Sequence, residues 1–192
     1  MEDLLRIKHT AHTLKAGNVL ISVPFMGDSY FDRTLVLLID HNPEGSFGLI
    51  LNKKINQIPL KFVKTDIKKK LQVYNGGPVE LNHLFFLHTY GSLMGENTYI
   101  SDGVSFGGQE SELVALMKDN LLDENNIRFY LGYAGWSAGQ LEQEIKADMW
   151  VIGAFRKDLA FADTVNVWRM AVADLGNDYT HWLQFPDKAY YN

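Results

Sequence analysis

Apolar and polar positions change their rhythm part-way along the chain. Residues 18–25 (NVLISVPF), 33–40 (RTLVLLID) and 47–53 (FGLILNK) are short apolar runs bounded by proline, asparagine or glycine. Runs of this length predict strands, and the HNPEGS between the second and third predicts a hairpin. Residues 71–79 (LQVYNGGPV) predict a short strand ending in a Gly-Gly-Pro turn, and residues 83–90 (HLFFLHTY) predict another strand. TYISDGVSFGG reads as short strands with turns. From residue 110 the period lengthens: Leu113, Leu116, Met117 and Leu121 recur at helical spacing across residues 110–122. Residues 127–135 predict a strand, residues 138–147 a helix and residues 148–155 a strand. ADTVNVWRMAVADLG predicts a helix with Asp163 or Thr164 as N-cap and Gly176 just past its end. The aromatic tail, residues 177–192, is expected to pack on the body. Local strand pairing followed by alternation with helices predicts an α/β fold of α+β character. It would be one domain, a mixed sheet with an N-terminal hairpin region and helices packed on it.

Composition narrows the classes. With 192 residues, 46% hydrophobic and 21% charged, the chain can bury one sizeable core. No apolar stretch approaches the ~18 residues of a membrane span, and the N-terminus lacks a signal peptide's apolar core. The absence of cysteine excludes a disulfide framework, thiol redox chemistry and zinc–thiolate sites. A cytoplasmic protein without a membrane partner is the expectation. The net charge of −5 is uneven. Between Lys53 and Lys70 seven lysines (53, 54, 61, 64, 68, 69, 70) stand against Asp66, a net +6, so the remainder carries −11. Such a stretch could meet a polyanion such as nucleic acid. A solvated basic face explains it equally well, and an acidic protein is a poor generic nucleic-acid binder.

Gly135-Trp136-Ser137-Ala138-Gly139 matches the Gly-x-Ser-x-Gly nucleophile elbow of the α/β-hydrolases. A triad could be completed by Asp163 or Asp174 and His181. Against this, only 55 residues follow the serine, and a hairpin-rich N-terminal half is unlike the parallel sheet that presents an elbow. A helix start accounts for more of the same letters. With Ser137 as N-cap, Gln140 completes a Ser-x-x-Gln capping box, and Trp136 and Leu141 are placed as a hydrophobic staple. The cap is preferred, and a hydrolase using Ser137 and His181 stays as the alternative.

Other candidates are weaker. His9 and His12 could share a helical face but have no third ligand nearby, so no metal is expected. No Walker or dinucleotide pattern occurs, so no cofactor is expected. The backbone of YNGGPV could cradle an anion, although a plain turn is the simpler reading. Asn52, Gly76, Gly77, Pro78, His88, Tyr133 and Trp136 fall at predicted strand ends, where open sheets gather ligand or partner sites along one rim.

GYAGWSAGQLEQEI, with its GYAGW running into GQLE, resembles the signature of the AlgH/YqgE family of bacterial proteins. GNVLISVPFMGDSYFDRTLVLLIDHN, GSFGLILNK, NGGPV, His88 after a strand, and VWRMAVADLG agree in order, so the resemblance covers about residues 17–176. It implies a compact fold with a mixed, partly barrel-like sheet and no defined catalytic activity. It also implies that the pair after GYAGW varies, which speaks against Ser137 as a required nucleophile. Transcriptional regulation is the label the family carries, yet nothing in the chain reads as a DNA-reading module. The expected function is a regulatory or partner- and ligand-binding module of undefined biochemical activity. Its partner is an unidentified protein or small molecule.

Overall fold

The structure is a computed structural model that describes residues 7, 13–27, 30–55, 72–162 and 166–186. Alternation along its first strands sets the layers. In β1 (Asn18–Ser22), Val19 and Ile21 join one apolar cluster while Leu20 joins another. In β2 (Leu35–Asn42), Leu35, Leu37 and Ile39 take the first face and Val36 and Leu38 the second. β3 (Gly45–Ile50) sends Leu49 to the first face and Ile50 to the second. Both faces are covered, which is why these strands read as continuous apolar runs. β2 and β3 form the expected antiparallel hairpin through Asn42↔Gly45.

The remaining strands are β4 (Val73–Asn75), β5 (Val79–His88), β6 (Thr98–Ser101), β7 (Val104–Phe106), β8 (Ile127–Ser137) and β9 (Trp150–Ala154). They complete a nine-stranded sheet in the order β6-β7-β5-β8-β3-β2-β1-β9, with β4 also paired to β8. Among the described residues all pairs are antiparallel except β4 with β8, and the sheet curls into a half-barrel. β6 and β7 meet across Asp102 and Gly103, both at positive φ, the Asp-Gly chemistry that tight hairpins favour.

β8 is the pivot. Its first part pairs with β4 and β5, and residues 134–137 pair with β3. At the change of partner the link from β4 to β5 passes tightly over it. A Cβ on Gly76 would overlap the Gly132 carbonyl oxygen, and one on Gly77 would overlap the Tyr133 carbonyl. A Cβ on Gly132, itself at φ +70°, would come within 2.7 Å of the Gly77 oxygen. Two distant motifs, NGGPV and GYAGW, therefore meet backbone to backbone where only glycine fits.

Helices close both faces. α1 (Glu110–Lys118) lies beside the cluster of Val73, Ile127, Phe129 and Leu131 through Leu113. It stops four residues before the expected end; Asn120 turns left-handed at φ 55°, and Leu121 is exposed. α2 (Gln140–Lys146) buries Leu141 with Trp136 and Trp150. α3 (Lys157–Phe161), not expected from the sequence, and α4 (Val167–Asp174) cover the first face with Leu159, Ala160, Val167, Trp168, Ala171 and Val172. α4 has Asn166 at its N-cap position, and Gly176 at φ +89° follows its C-cap Leu175. The proposed caps Asp163 and Thr164 lie outside the described residues. The aromatic tail packs as expected through residue 186: a 3₁₀ segment, Asn177–Gln184, buries Tyr179 and Trp182 against the first face. Among the described residues no helix is long and apolar enough to cross a membrane.

Candidate functional site

The end of β8 and the β2–β3 hairpin form the walls of an open cleft of about 440 Å³. Strand alternation explains its β8 wall: Ala134 and Trp136 point into the core, leaving Tyr133, Gly135 and Ser137 for the other side. The Tyr133 ring rests 4.8 Å from that of Phe47, and a Cβ on Gly135 would come within 3.0 Å of its edge. The hairpin contributes Asp40, Asn42, Glu44 and Ser46, and β5 contributes Val79.

Behind the hairpin wall sits a short polar relay. His41, half-buried, has Nδ1 2.8 Å from the Ser46 hydroxyl. Its Nε2 lies 3.8 Å from the Glu142 carboxylate on α2. The Asp40 carboxylate accepts hydrogen bonds from the His41 backbone N–H and the Asn42 amide, which holds the DHN stretch rigid. Among the described residues none that lines the cleft is a lysine or arginine.

The expected helix cap is corrected. Ser137 is the last residue of β8, paired with Gly45 on β3, and α2 starts only at Gln140 behind a left-handed Gly139 (φ 73°). No side chain caps this helix. Pairing with β3 holds Ser137 extended, so its hydroxyl is not delivered to the first turn. The reciprocal half of the box does form: the Ser137 N–H donates to Gln140 Oε1 at 3.0 Å. Trp136 and Leu141 share one buried cluster. Ser137→Ala should therefore change unfolding free energy by no more than about 0.5 kcal/mol, whereas Gln140→Ala should cost about 1 kcal/mol. Urea denaturation of the two variants checks this; the reverse ranking would restore the hydroxyl cap.

Of the other candidates, Tyr133 reaches the cleft with Ser137, and Trp136 borders it while its side chain packs in the core, but the rest do not gather there. Asn52 is a bracket inside the sheet: Oδ1 accepts the Leu35 N–H and Nδ2 donates to the Arg33 carbonyl. The Gly76 N–H donates to the Leu131 carbonyl and the Gly77 N–H to Asn75 Oδ1, so the loop offers no free donors to an anion. Pro78 is exposed beside them. His88 is fully buried; Nδ1 accepts the Tyr90 N–H, so Nε2 carries the proton donated to the Gly107 carbonyl at 2.8 Å. Burial lowers its pKa, consistent with a neutral ring. His181 lies on the C-terminal 3₁₀ segment with its ring against Trp182 and Phe185, and it does not line the cleft.

Lys53 is half-buried and donates to the Asp32 carbonyl, and desolvation lowers its pKa. Lysines 61, 64, 68, 69 and 70 lie outside the described residues, as do His9 and His12. Among the described residues no three histidine or carboxylate side chains cluster to hold a metal. Sequence reasoning passed over Asp40, His41, Asn42, Ser46 and Glu142. The only signals were DHN before the turn and QLEQE after GYAGW.

A family model described as AlgH-like matches residues 19–180. The chain belongs to the AlgH-like family. A UPF0301 protein of Parabacteroides distasonis is 36% identical over 194 residues, covering all of this chain and 98% of that protein. One from Bacteroides thetaiotaomicron is also 36% identical, covering 99% and 97%. The fold is similar to the solution structure of AlgH from Pseudomonas aeruginosa, with TM-score 0.71, 24% identity and 95% and 100% of the two chains covered. It is likewise similar to the crystal structure of a Corynebacterium diphtheriae protein, with TM-score 0.76, 20% identity and coverage of 92% and 95%. At these identities the solved structures speak for the fold alone.

Proposed function

We propose that this AlgH-like protein is a cytosolic regulatory module that binds a small cationic or polyhydroxylated ligand in the cleft between the β2–β3 hairpin and β8. The observation that carries this reading is the composition of the walls. Asp40 and Glu44 supply carboxylates, Asn42 and Ser137 supply neutral hydrogen-bonding groups, and Tyr133 supplies an aromatic face, with no cation opposing them among the described residues. An amine gains from the carboxylates and from a ring face, and a polyol from the neutral groups. NMR titration with amines, polyols and carboxylates tests it. Amines or polyols should shift Ser46, Tyr133 and Ser137 resonances, and Tyr133→Ala should weaken binding about tenfold, equivalent to about 1.4 kcal/mol. Response to carboxylates alone, or shifts elsewhere, would overturn the assignment.

A hydrolytic reading has one specific observation in its favour, and it concerns Ser46 rather than Ser137. Ser46, His41 and Glu142 stand in the nucleophile–base–orienter order, at 2.8 Å and 3.8 Å. A fluorophosphonate probe decides between the readings. Labelling of Ser46 that disappears in His41→Ala favours the hydrolase; an unlabelled protein favours the binding module.

A further inference from the structure

A second, independent feature lies at the β9 end of the sheet, between its first face and α4. The side chains on that face shrink toward the end. β2 presents Leu35 and Leu37, β1 presents Val19 and Ile21, and β9 presents Val151 and then Gly153. Val19 and Ile21 lean across Gly153, each 3.1 Å from where its Cβ would stand. The helix above thins in the same place. Trp168, Ala171 and Leu175 follow one stripe along α4 and its C-cap, and alanine takes the middle position. Sheet and helix leave a slot of about 270 Å³, lined by Val19, Ile21, Gly153, Ala154, Ala171 and Leu175. Val19, Ile21 and Ala171 are at most 2% exposed, so its floor is dry.

An unfilled apolar slot forfeits dispersion contacts on its open side, and an aliphatic chain restores them. The mouth sets the head group. Arg156 is the one cation in the lining among the described residues, and its donors are already used. Nε and Nη2 donate to Asp158 at 3.0 and 2.9 Å, and Nη1 donates to Asp174 at 2.9 Å. Two carboxylates thus stand against one guanidinium. Asp174 is also the last residue of α4, where the helix dipole adds partial negative charge. Its side chain is 43% exposed and keeps lone pairs to spare, so it can accept another donor without releasing Arg156. A cation completes the charge balance there, whereas an anion meets two carboxylates and a helix C-terminus.

We propose that this slot takes the unbranched aliphatic chain of a small primary amine, with the ammonium group held at the mouth by Asp174. The chain lies between β9 and α4 over Val19 and Ile21, and the head stays at the surface. A chain charged at both ends does not fit, because the second ammonium would lie on the dry floor. The site shares no residue with the acidic cleft and does not depend on it.

NMR titration of the full chain with hexylamine, with methylamine and sodium chloride as controls, tests the site. Hexylamine should shift the methyl resonances of Val19, Ile21 and Ala171 saturably, and methylamine should not. From propylamine to hexylamine the affinity should rise about fourfold for each added methylene, the worth of burying one such group. Hexanoate and hexamethylenediamine should each bind about tenfold more weakly than hexylamine, or worse. Asp174→Asn should weaken hexylamine about tenfold, and Ala171→Leu, which fills the slot, should abolish the methyl shifts. Should Ala171→Leu fail to fold, the chain-length series and Asp174→Asn, which leaves Arg156 with Asp158, carry the comparison. Shifts confined to Tyr133 and Ser137, equal binding of hexanoate, or an affinity indifferent to chain length or to Asp174→Asn would each overturn the proposal. So would methyl shifts retained in a folded Ala171→Leu protein.

Discussion

Gly77→Ala should abolish most of the folded, soluble protein. The added methyl would overlap the backbone carbonyl of Tyr133, and no side-chain rotation can relieve a clash with main chain. The link cannot retreat either. The Gly76 N–H is bonded to Leu131, the Gly76 carbonyl accepts the Ile50 N–H, and the Gly77 N–H is held by Asn75 Oδ1. Moving the strand costs those bonds and opens the junction of β3, β4 and β8. A cost above about 4 kcal/mol is expected, a large part of a typical stability of about 5–15 kcal/mol. Gly135→Ala, in the same sheet, meets only the movable edge of the Tyr133 ring and should cost less than about 1 kcal/mol. Soluble yield and chemical denaturation of the pair measure the difference. A Gly77→Ala protein as stable as Gly135→Ala would mean that the link does not cross β8 as described.

That crossing also marks where the sequence stops being readable. β1, β2 and β3 were legible because their length, apolar density and the Asn-Pro-Glu-Gly connection are local signals. So was the packing of the aromatic tail through Tyr179 and Trp182. The meeting of NGGPV with GYAGW was not, because a glycine required by another backbone looks the same in a sequence as a glycine required by a turn. The end of α1 was missed because Leu121 keeps the helical spacing although the chain has already turned at Asn120.

The cleft divides in the same way. Tyr133, Trp136 and Ser137 stood out as members of a dense local motif. Asp40, His41 and Ser46 looked like ordinary hairpin residues, since it is the long-range pairing of Gly45–Gly48 with Ala134–Ser137 that brings the hairpin to β8. Glu142 reaches His41 from α2 across that same register. The cap failed for a related reason. Ser-x-x-Gln reads as a capping box on its own, but pairing with Gly45 keeps Ser137 in the strand.

Glu144→Ala should be the most damaging change at a polar residue near the cleft. One carboxylate oxygen of Glu144 accepts hydrogen bonds from the indole N–H of Trp136 and of Trp150, each at 2.8 Å. The other accepts from Gln140 Nε2 at 2.9 Å. Both indoles are buried, at 6% and 1% exposure, so removing the acceptor strands two donors away from water. Each stranded donor costs about 1–3 kcal/mol, and bonds to a charged acceptor lie toward the upper end. A loss of about 3 kcal/mol is expected. Glu144→Gln keeps one carbonyl oxygen for the two indoles but faces Gln140 with a donor, so about 1 kcal/mol is expected. Glu142→Ala, on the same short helix, removes only a 3.8 Å pair with His41 at a 44% exposed carboxylate, and should cost less than about 0.5 kcal/mol. Urea unfolding followed by tryptophan fluorescence and circular dichroism reads all three. Because Trp136 ends the GYAGW motif and Trp150 opens β9, loss of Glu144 should also loosen Tyr133 and Ser137 in the cleft wall. Equal stability of Glu144→Ala and Glu142→Ala would mean that water replaces the carboxylate at the two indoles.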